Sequence, residues 1–397
     1  MRIVHCCLAA FYIDNAGYQE NILPRMHKLQ GHDVSILAST ETYIDNRDIG
    51  YVEPQNYVNN DGIPVTRLAY RRGIPKRLVR RLRLYHGIYE YLAKYQPDII
   101  FLHSCQFLGI REVIRFINEN PTTRVFVDGH SDFENSARTW SSKWLLHGII
   151  YRYCAKAIQP FATKFFGVLP ARVEFFKKMY GIPSSKTELL VLGVDDTLID
   201  WSQQESIRTS IRKEIGVPEN AFLLVTGGKL DRRKNIHNLI LALDRIPHDD
   251  VRLVVFGTPS REMEVEFESL PQDERVRCIG WIDSKRVHEY FMAADLGVFP
   301  GTHSVLWEQA VGTGLPCVFR RWEGMQHIDV GGNCCFLNSG SVDEMVECLT
   351  SLIDDQSRLA EMRRVALGRG TKEFAYTEIA KRAIACEDTP SGDRANA

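Results

Sequence analysis

Ten cysteines occur without a single Cys-x-x-Cys pair, so neither a zinc ribbon nor a dithiol redox motif is encoded. No stretch approaches 18 uncharged apolar residues, which excludes a bilayer-spanning helix. The apolar start Met1–Leu8 is too short for a signal peptide and has no Ala-x-Ala site before Asp14, so it reads as a buried first strand. Charge of one sign is not in excess: 49 Lys plus Arg face 50 Asp plus Glu, a net charge of -1. That balance argues against a nucleic-acid binder, whose footprint is a strongly basic domain. Asp-x-Asp, His-Glu-x-x-His, a Walker A loop and a Gly-x-Gly-x-x-Gly fingerprint are all missing. The expectation is therefore no metal, no cofactor, and neither P-loop nor NAD chemistry.

What is present is an ordinary globular composition, 44% hydrophobic and 25% charged over 397 residues, enough for two full cores. Cys6, Cys7, Cys278, Cys317, Cys334 and Cys335 sit in apolar, strand-like runs, the pattern of reduced, buried thiols in a cytoplasmic protein. Charge is unevenly spread. Residues 1–200 carry 25 basic and 20 acidic side chains, and residues 201–397 carry 24 and 30. An anionic or membrane-bound partner would prefer the first half.

Runs of Val, Ile, Leu and Phe alternate with amphipathic segments, the signature of βαβ units around parallel sheets. The first series has strands near 2–9, 34–38, 99–102, 125–127 and 164–168; the second has strands near 222–226, 253–256, 296–299 and 317–319, with helices over 236–246 and 304–312. The domains expected are 1–192, a hinge at 193–200, 201–370, and a C-terminal helix over 371–397 that packs back toward the first domain and ends in a polar tail from Glu387. Ligands of such sheets bind in strand-to-helix loops at the carboxyl ends of the strands.

Two loops carry the strongest chemistry. Gly227-Gly228-Lys229-Leu230-Asp231-Arg232-Arg233-Lys234-Asn235 follows a buried strand and precedes a helix, so glycine backbone and ammonium groups converge as a phosphate site requires; a solvated basic turn is the bland alternative. Pro300-Gly301-Thr302-His303-Ser304-Val305-Leu306-Trp307-Glu308 would place the amides of residues 302–305 at a second helix N-terminus. Glu308 lies one turn in, on an otherwise apolar helix, where a carboxylate must accept hydrogen bonds. Ribose hydroxyls would supply them, and a helix-dipole role is the alternative. In Gly129-His130-Ser131 a nucleophile elbow fails because Phe133 occupies the second glycine position. The acidic pair Asp132 and Glu134 has no further ligands nearby in sequence.

These motifs, with Trp307-Glu308-Gln309-Ala310 before Gly312-Thr313-Gly314-Leu315-Pro316, Gly31-His32-Asp33-Val34 after the first helix, and Gly193-Val194-Asp195 at the hinge, resemble a GT-B-fold glycosyltransferase of family 4. The resemblance implies two facing Rossmann-like, doubly wound α/β domains with a C-terminal helix crossing back. It also implies retaining transfer from a nucleotide-sugar donor. On it, Lys229 and Lys234 hold the donor diphosphate, with Gly17, Gly228, His303, Ser304 and Val305 alongside, and Glu308 binds the ribose. His130 matches a histidine beside the donor sugar and joins Lys229 and Lys234 as a catalytic group. Pro300 stands where the family has a first Glu, which leaves that role to His303, Ser304 or nearby amides. Tyr18, Gln19, Glu20 and Asn21 open the helix that would face an acceptor.

A UDP-sugar is favoured as donor over GDP-mannose, and the acceptor expected is a glycan or lipid-linked glycan. Arg71, Arg72, Lys76, Arg77, Arg80, Arg81 and Arg83 interleave with Leu78, Val79, Leu82 and Leu84, a pattern for peripheral contact of 71–84 with the inner membrane face. Trp144–Tyr151 is a second apolar run, read as core. The rivals are a GT-B nucleotide-sugar epimerase and a non-catalytic nucleotide-sugar-binding subunit.

Overall fold

The computed structural model describes residues 1–43, 49–133, 136, 139–271 and 273–385. Glu134 and the polar tail from Glu387 lie outside them. The chain divides into two compact units, Met1–Leu190 with the stretch from Ala380, and Val191–Ile379.

The first unit is built on an eight-stranded sheet in the order Thr187–Leu189, Ala162–Gly167, Arg124–Gly129, Ile99–His103, Arg2–Cys7, Asp33–Ala38, Pro64–Arg67, Gln55–Val58. Every pair is parallel except the last. The central strands are covered on both faces, which is why they read as unbroken apolar runs. All five residues of Ile99–His103 are buried, and His103 sits among them without being apolar. The core joins Val4, Leu102 and Val127 of the sheet to Ile110, Phe116 and Ile158 of the helices. At about 1.5–3 kcal/mol for each large apolar side chain, such burial is the main favourable contribution to the unit's stability. The first strand stops at Cys7, short of the expected residue 9.

The second unit has six parallel strands in the order Val276–Gly280, Val251–Phe256, Phe222–Gly227, Leu296–Phe299, Cys317–Arg320, Cys334–Leu337. Its core packs Leu224, Leu253 and Val298 against Leu239, Leu243 and Leu349. The reversal of strand order lies at Phe222–Gly227 and Leu296–Phe299, which puts the two chemistry-bearing loops side by side.

Two expectations change. The basic run forms a helix only over Lys76–Leu82, because Arg83 takes a left-handed conformation at φ 52° and ends it. Val79 points inward while Leu78 is exposed, so this short helix offers one exposed apolar side chain rather than a lipid-facing stripe. Arg80 stacks on Tyr51 at 3.4 Å, and Arg71 pairs with Glu112. Trp144–Tyr151, read as core, is mostly surface. It lies on a π-helix, Ser141–Tyr151, that buries His147 and Tyr151 but leaves Trp144, Leu145 and Ile149 at 50–61% exposure. The run has more apolar side chains than its one inward face can cover. No helix among the described residues is long and apolar enough to cross a membrane.

Candidate functional site

In the second unit the strand Phe222–Gly227 ends in Gly228, whose φ of +113° is a conformation that side chains strain against. Lys229 follows, exposed. The turn Arg232–Lys234 is capped by Asp231, which accepts from the Arg233 amide at 3.0 Å and from its guanidinium at 2.7 Å. Arg232 pairs with Glu266 at 2.5 Å. Two of the four cations are thus neutralised, leaving Lys229 and Lys234 for a ligand. Lys234 Nζ is half-buried and donates to the carbonyls of Thr302 and His303, each at 2.8 Å. Burial pulls its pKa down to about 8, an ammonium group with little solvent to lose on meeting an anion.

The neighbouring loop comes very close. A Cβ on Gly301 would lie 2.2 Å from the Arg233 carbonyl oxygen, and the Thr302 amide donates to that oxygen at 2.9 Å. The expectation that amides 302–305 all face a ligand is corrected to that extent: the Thr302 amide is used within the protein. The helix opens at Leu306 with Val305 as its cap, and the Ser304 carbonyl accepts from Trp307. Between the loops lies a cavity of about 10 Å³ lined by Thr226, Gly227, Lys234, Gly301, Ser304 and Trp307, room for one water. The Thr226 hydroxyl is buried there without a partner.

Glu308 has no exposed surface. His303 Nε2 lies 2.8 and 3.0 Å from its two carboxylate oxygens, and His327 Nε2 lies 2.8 Å from Oε1. Two imidazoles therefore supply the hydrogen bonds that a ribose was expected to supply. Burial alone would raise the Glu308 pKa; the charge and hydrogen bond of His303, then those of His327, hold it at about 2. These three ligand atoms fall within 4.8 Å of one another, a donor set that could hold a metal. As arranged, both Nε2–H groups donate to the carboxylate, so a metal would have to displace both protons. His327, 19 residues downstream, had no sequence signal.

In the first unit the predicted acceptor group and the predicted catalytic histidine converge. His130 Nε2 is 3.7 Å from Glu20 Oε1 and 3.6 Å from Asp128 Oδ1. Gln19 Nε2 donates to Asp128 Oδ2 at 3.2 Å. Tyr18 is 47% exposed at the cap of the helix Gln19–Leu29, and Gly17 precedes it. Asn21 is buried, with its amide nitrogen on the Ile13 carbonyl at 2.8 Å; of the four polar side chains, it is the one turned to its own loop. Asp128 also lies 2.8 Å from His103 Nδ1, and His103 leads on to His5 and His27; a lone histidine in an apolar run, such as His5, gave no cue.

Comparison with known proteins places these features. Residues 207–369 match the family described as Glycosyl transferases group 1. The chain is 26% identical over 224 residues to D-inositol 3-phosphate glycosyltransferase 1 of Catenulispora acidiphila, covering 52% of each protein. The chain spans about half the length of the curated relatives it matches. Among solved structures, HepE from Anabaena in complex with UDP superposes with a TM-score of 0.67 at 16% identity, covering 96% of this chain and 98% of that one. Sucrose-phosphate synthase from Thermosynechococcus elongatus gives 0.67 at 17% identity over 96% of each. The fold is GT-B, two Rossmann-like α/β units, and the match to the group 1 glycosyl transferases lies in the second.

Proposed function

We propose that this protein transfers a sugar from a nucleoside diphosphate donor to a hydroxyl acceptor. The observation that carries the reading is the pair of lysines at the carboxyl end of Phe222–Gly227: exposed Lys229 and half-buried Lys234, beside Gly228 and against the loop of Gly301–Ser304. A diphosphate would replace the two carbonyls as partner of the Lys234 ammonium, and a cation is worth most to an anion in such a desolvated place.

The chemistry follows from charge. As the bond from the anomeric carbon to the phosphate oxygen breaks, negative charge grows on the departing β-phosphate, and Lys229 and Lys234 stabilise it in the role a divalent ion plays elsewhere. The acceptor oxygen forms the new bond and its proton passes to the leaving phosphate, the course that the resemblance to family 4, with retention at the anomeric carbon, implies. Glu308 serves by holding His303 and His327 in place, so that His303, Ser304 and Val305 present the nucleoside side of the site. His130, between Glu20 and Asp128, is the sugar-facing group of the first unit, with Gly17, Tyr18 and Gln19 near the acceptor. No metal or cofactor enters this scheme.

A UDP-sugar is the favoured donor, supported by a structural neighbour solved with UDP. An acceptor carried on a lipid, reached from the cytoplasmic membrane face, is supported by exposed Trp140, Trp144, Leu145 and Ile149 rather than by 71–84. Thermal unfolding with UDP, GDP, TDP and ADP tests the donor class. A hundredfold excess over Kd stabilises the native state by about 2.7 kcal/mol, so one nucleotide should raise Tm and the others should not. A Tm unmoved by all four contradicts the reading.

A further inference from the structure

Three fully buried histidines of the first unit, His5, His27 and His103, have no part in the scheme above, yet they form one line. His27 Nε2 lies 2.9 Å from the Ala380 carbonyl oxygen, and His27 Nδ1 lies 3.0 Å from His5 Nε2. His5 Nδ1 lies 3.0 Å from His103 Nε2, and His103 Nδ1 lies 2.8 Å from Asp128 Oδ2. The rings of His5 and His27, and of His5 and His103, meet edge to edge, with centroids 5.1 and 5.3 Å apart and interplanar angles of 29° and 23°.

Protons along this line can be counted, because each short gap needs one. A carbonyl oxygen only accepts, so His27 must donate through Nε2. If neutral, its Nδ1 is then an acceptor, which obliges His5 to donate through Nε2. By the same step His103 must donate through Nε2 to His5 Nδ1. A neutral His103 would then turn a bare Nδ1 toward a carboxylate oxygen, two acceptors at 2.8 Å. Four gaps face three neutral imidazoles with one N–H each, and the line closes only with one further proton. Asp128 already accepts from the Ser104 amide at 3.1 Å and from Gln19 at 3.2 Å, bonds that favour its ionised form.

We infer that His5, His27 and His103 together hold one excess proton, seated on His103 against the Asp128 carboxylate, and that this array is a positioning device for His130. A buried polar chain of this kind is stable only when every member is satisfied, and the extra proton satisfies it with no net charge. Burial, then His27 and His103, push the His5 pKa well down, and burial brings His27 to about 4, consistent with both being neutral. Burial works to raise Asp128, but His103 and His130 outweigh it and hold the carboxyl below its usual range. Among the described residues, the charged groups acting on His130 include Glu20, Asp128 and Arg172. Burial and Arg172 lower its pKa, and the two carboxylates prevail and raise it. An ionised Asp128 thus keeps His130 protonated to higher pH, and only the role of His130 toward the sugar rests on the transferase reading.

The test uses the full chain with ¹⁵N-labelled histidine and long-range ¹H–¹⁵N correlation spectra, without donor or acceptor. At about pH 8, above the ordinary histidine range, one imidazolium and two neutral Nε2–H rings are expected among the three, with the imidazolium signals lost in His103→Gln. Three neutral rings would overturn the seating of the excess proton on His103. In Asp128→Asn the imidazolium should vanish and the His130 midpoint should fall; an unmoved His130 midpoint ends the positioning claim. Should that variant fail to fold, a wild-type His130 midpoint at or below 6.5 ends it equally. An imidazolium in a protein that binds no nucleotide would refute the transferase reading alone.

Discussion

His303 Nε2 and the Glu308 carboxylate face each other at 2.8 and 3.0 Å, with His327 completing the cluster at 2.8 Å. The carboxylate is wholly buried, so it anchors two elements at once: the loop before its own helix and the turn Gln326–Ile328.

Removing that acceptor is a stability experiment as much as a functional one. Glu308→Ala takes the buried carboxylate away from the two imidazoles that donate to it, and breaking a buried pair in this way costs about 3–5 kcal/mol. Chemical denaturation should show the loss, with Glu308→Gln retaining part of the stability; equal stability of wild type and Glu308→Ala would refute the anchoring role.

Acid should expose the same contact. The folded Glu308 pKa is depressed to about 2 from an ordinary 4.5, so its contribution is fully present above about pH 4.5 and is lost as pH falls through 2. Unfolding free energies across that window should decline less steeply in Glu308→Gln than in wild type. Parallel declines would remove Glu308 from the acid response.

Base should act on donor binding instead. Lys234 has its pKa lowered to about 8, so nucleotide affinity should weaken as pH rises through 8 while Lys234→Arg, always charged, stays flat. A wild-type affinity that is constant to pH 9.5, about 1.5 units above that midpoint, would contradict this.

Gly301 is a steric prediction. A Cβ there would meet the Arg233 carbonyl oxygen at 2.2 Å and the Lys234 carbonyl carbon at 2.3 Å, both backbone atoms that cannot step aside. Gly301→Ala should separate the two loops, lowering Tm and abolishing nucleotide binding together. Retention of both would show that the close approach is not needed.

How much of this was legible depended on whether chemistry was written locally. The parallel strands were, because burial on both faces makes Ile99–His103 or Phe222–Gly227 an apolar run. The basic turn and Glu308 were, because each stands out against its neighbours. The edge strand Gln55–Val58 and its neighbour Pro64–Arg67 were not, being short and partly polar. Nor were the clusters of His5, His27 and His103, or of His303 with His327, since contacts spanning 19 to 98 residues leave no spacing to read. Trp144 misled because apolar character predicts burial only where a facing surface exists.

The Lys234 ammonium is the proposed diphosphate partner, and calorimetric titration of UDP into wild type and Lys234→Met, each checked as folded by circular dichroism, tests this most directly. A charged hydrogen bond of about 1.5–3 kcal/mol predicts binding to wild type and a loss of about tenfold or more in the variant. Equal affinity in the two proteins would contradict the assignment.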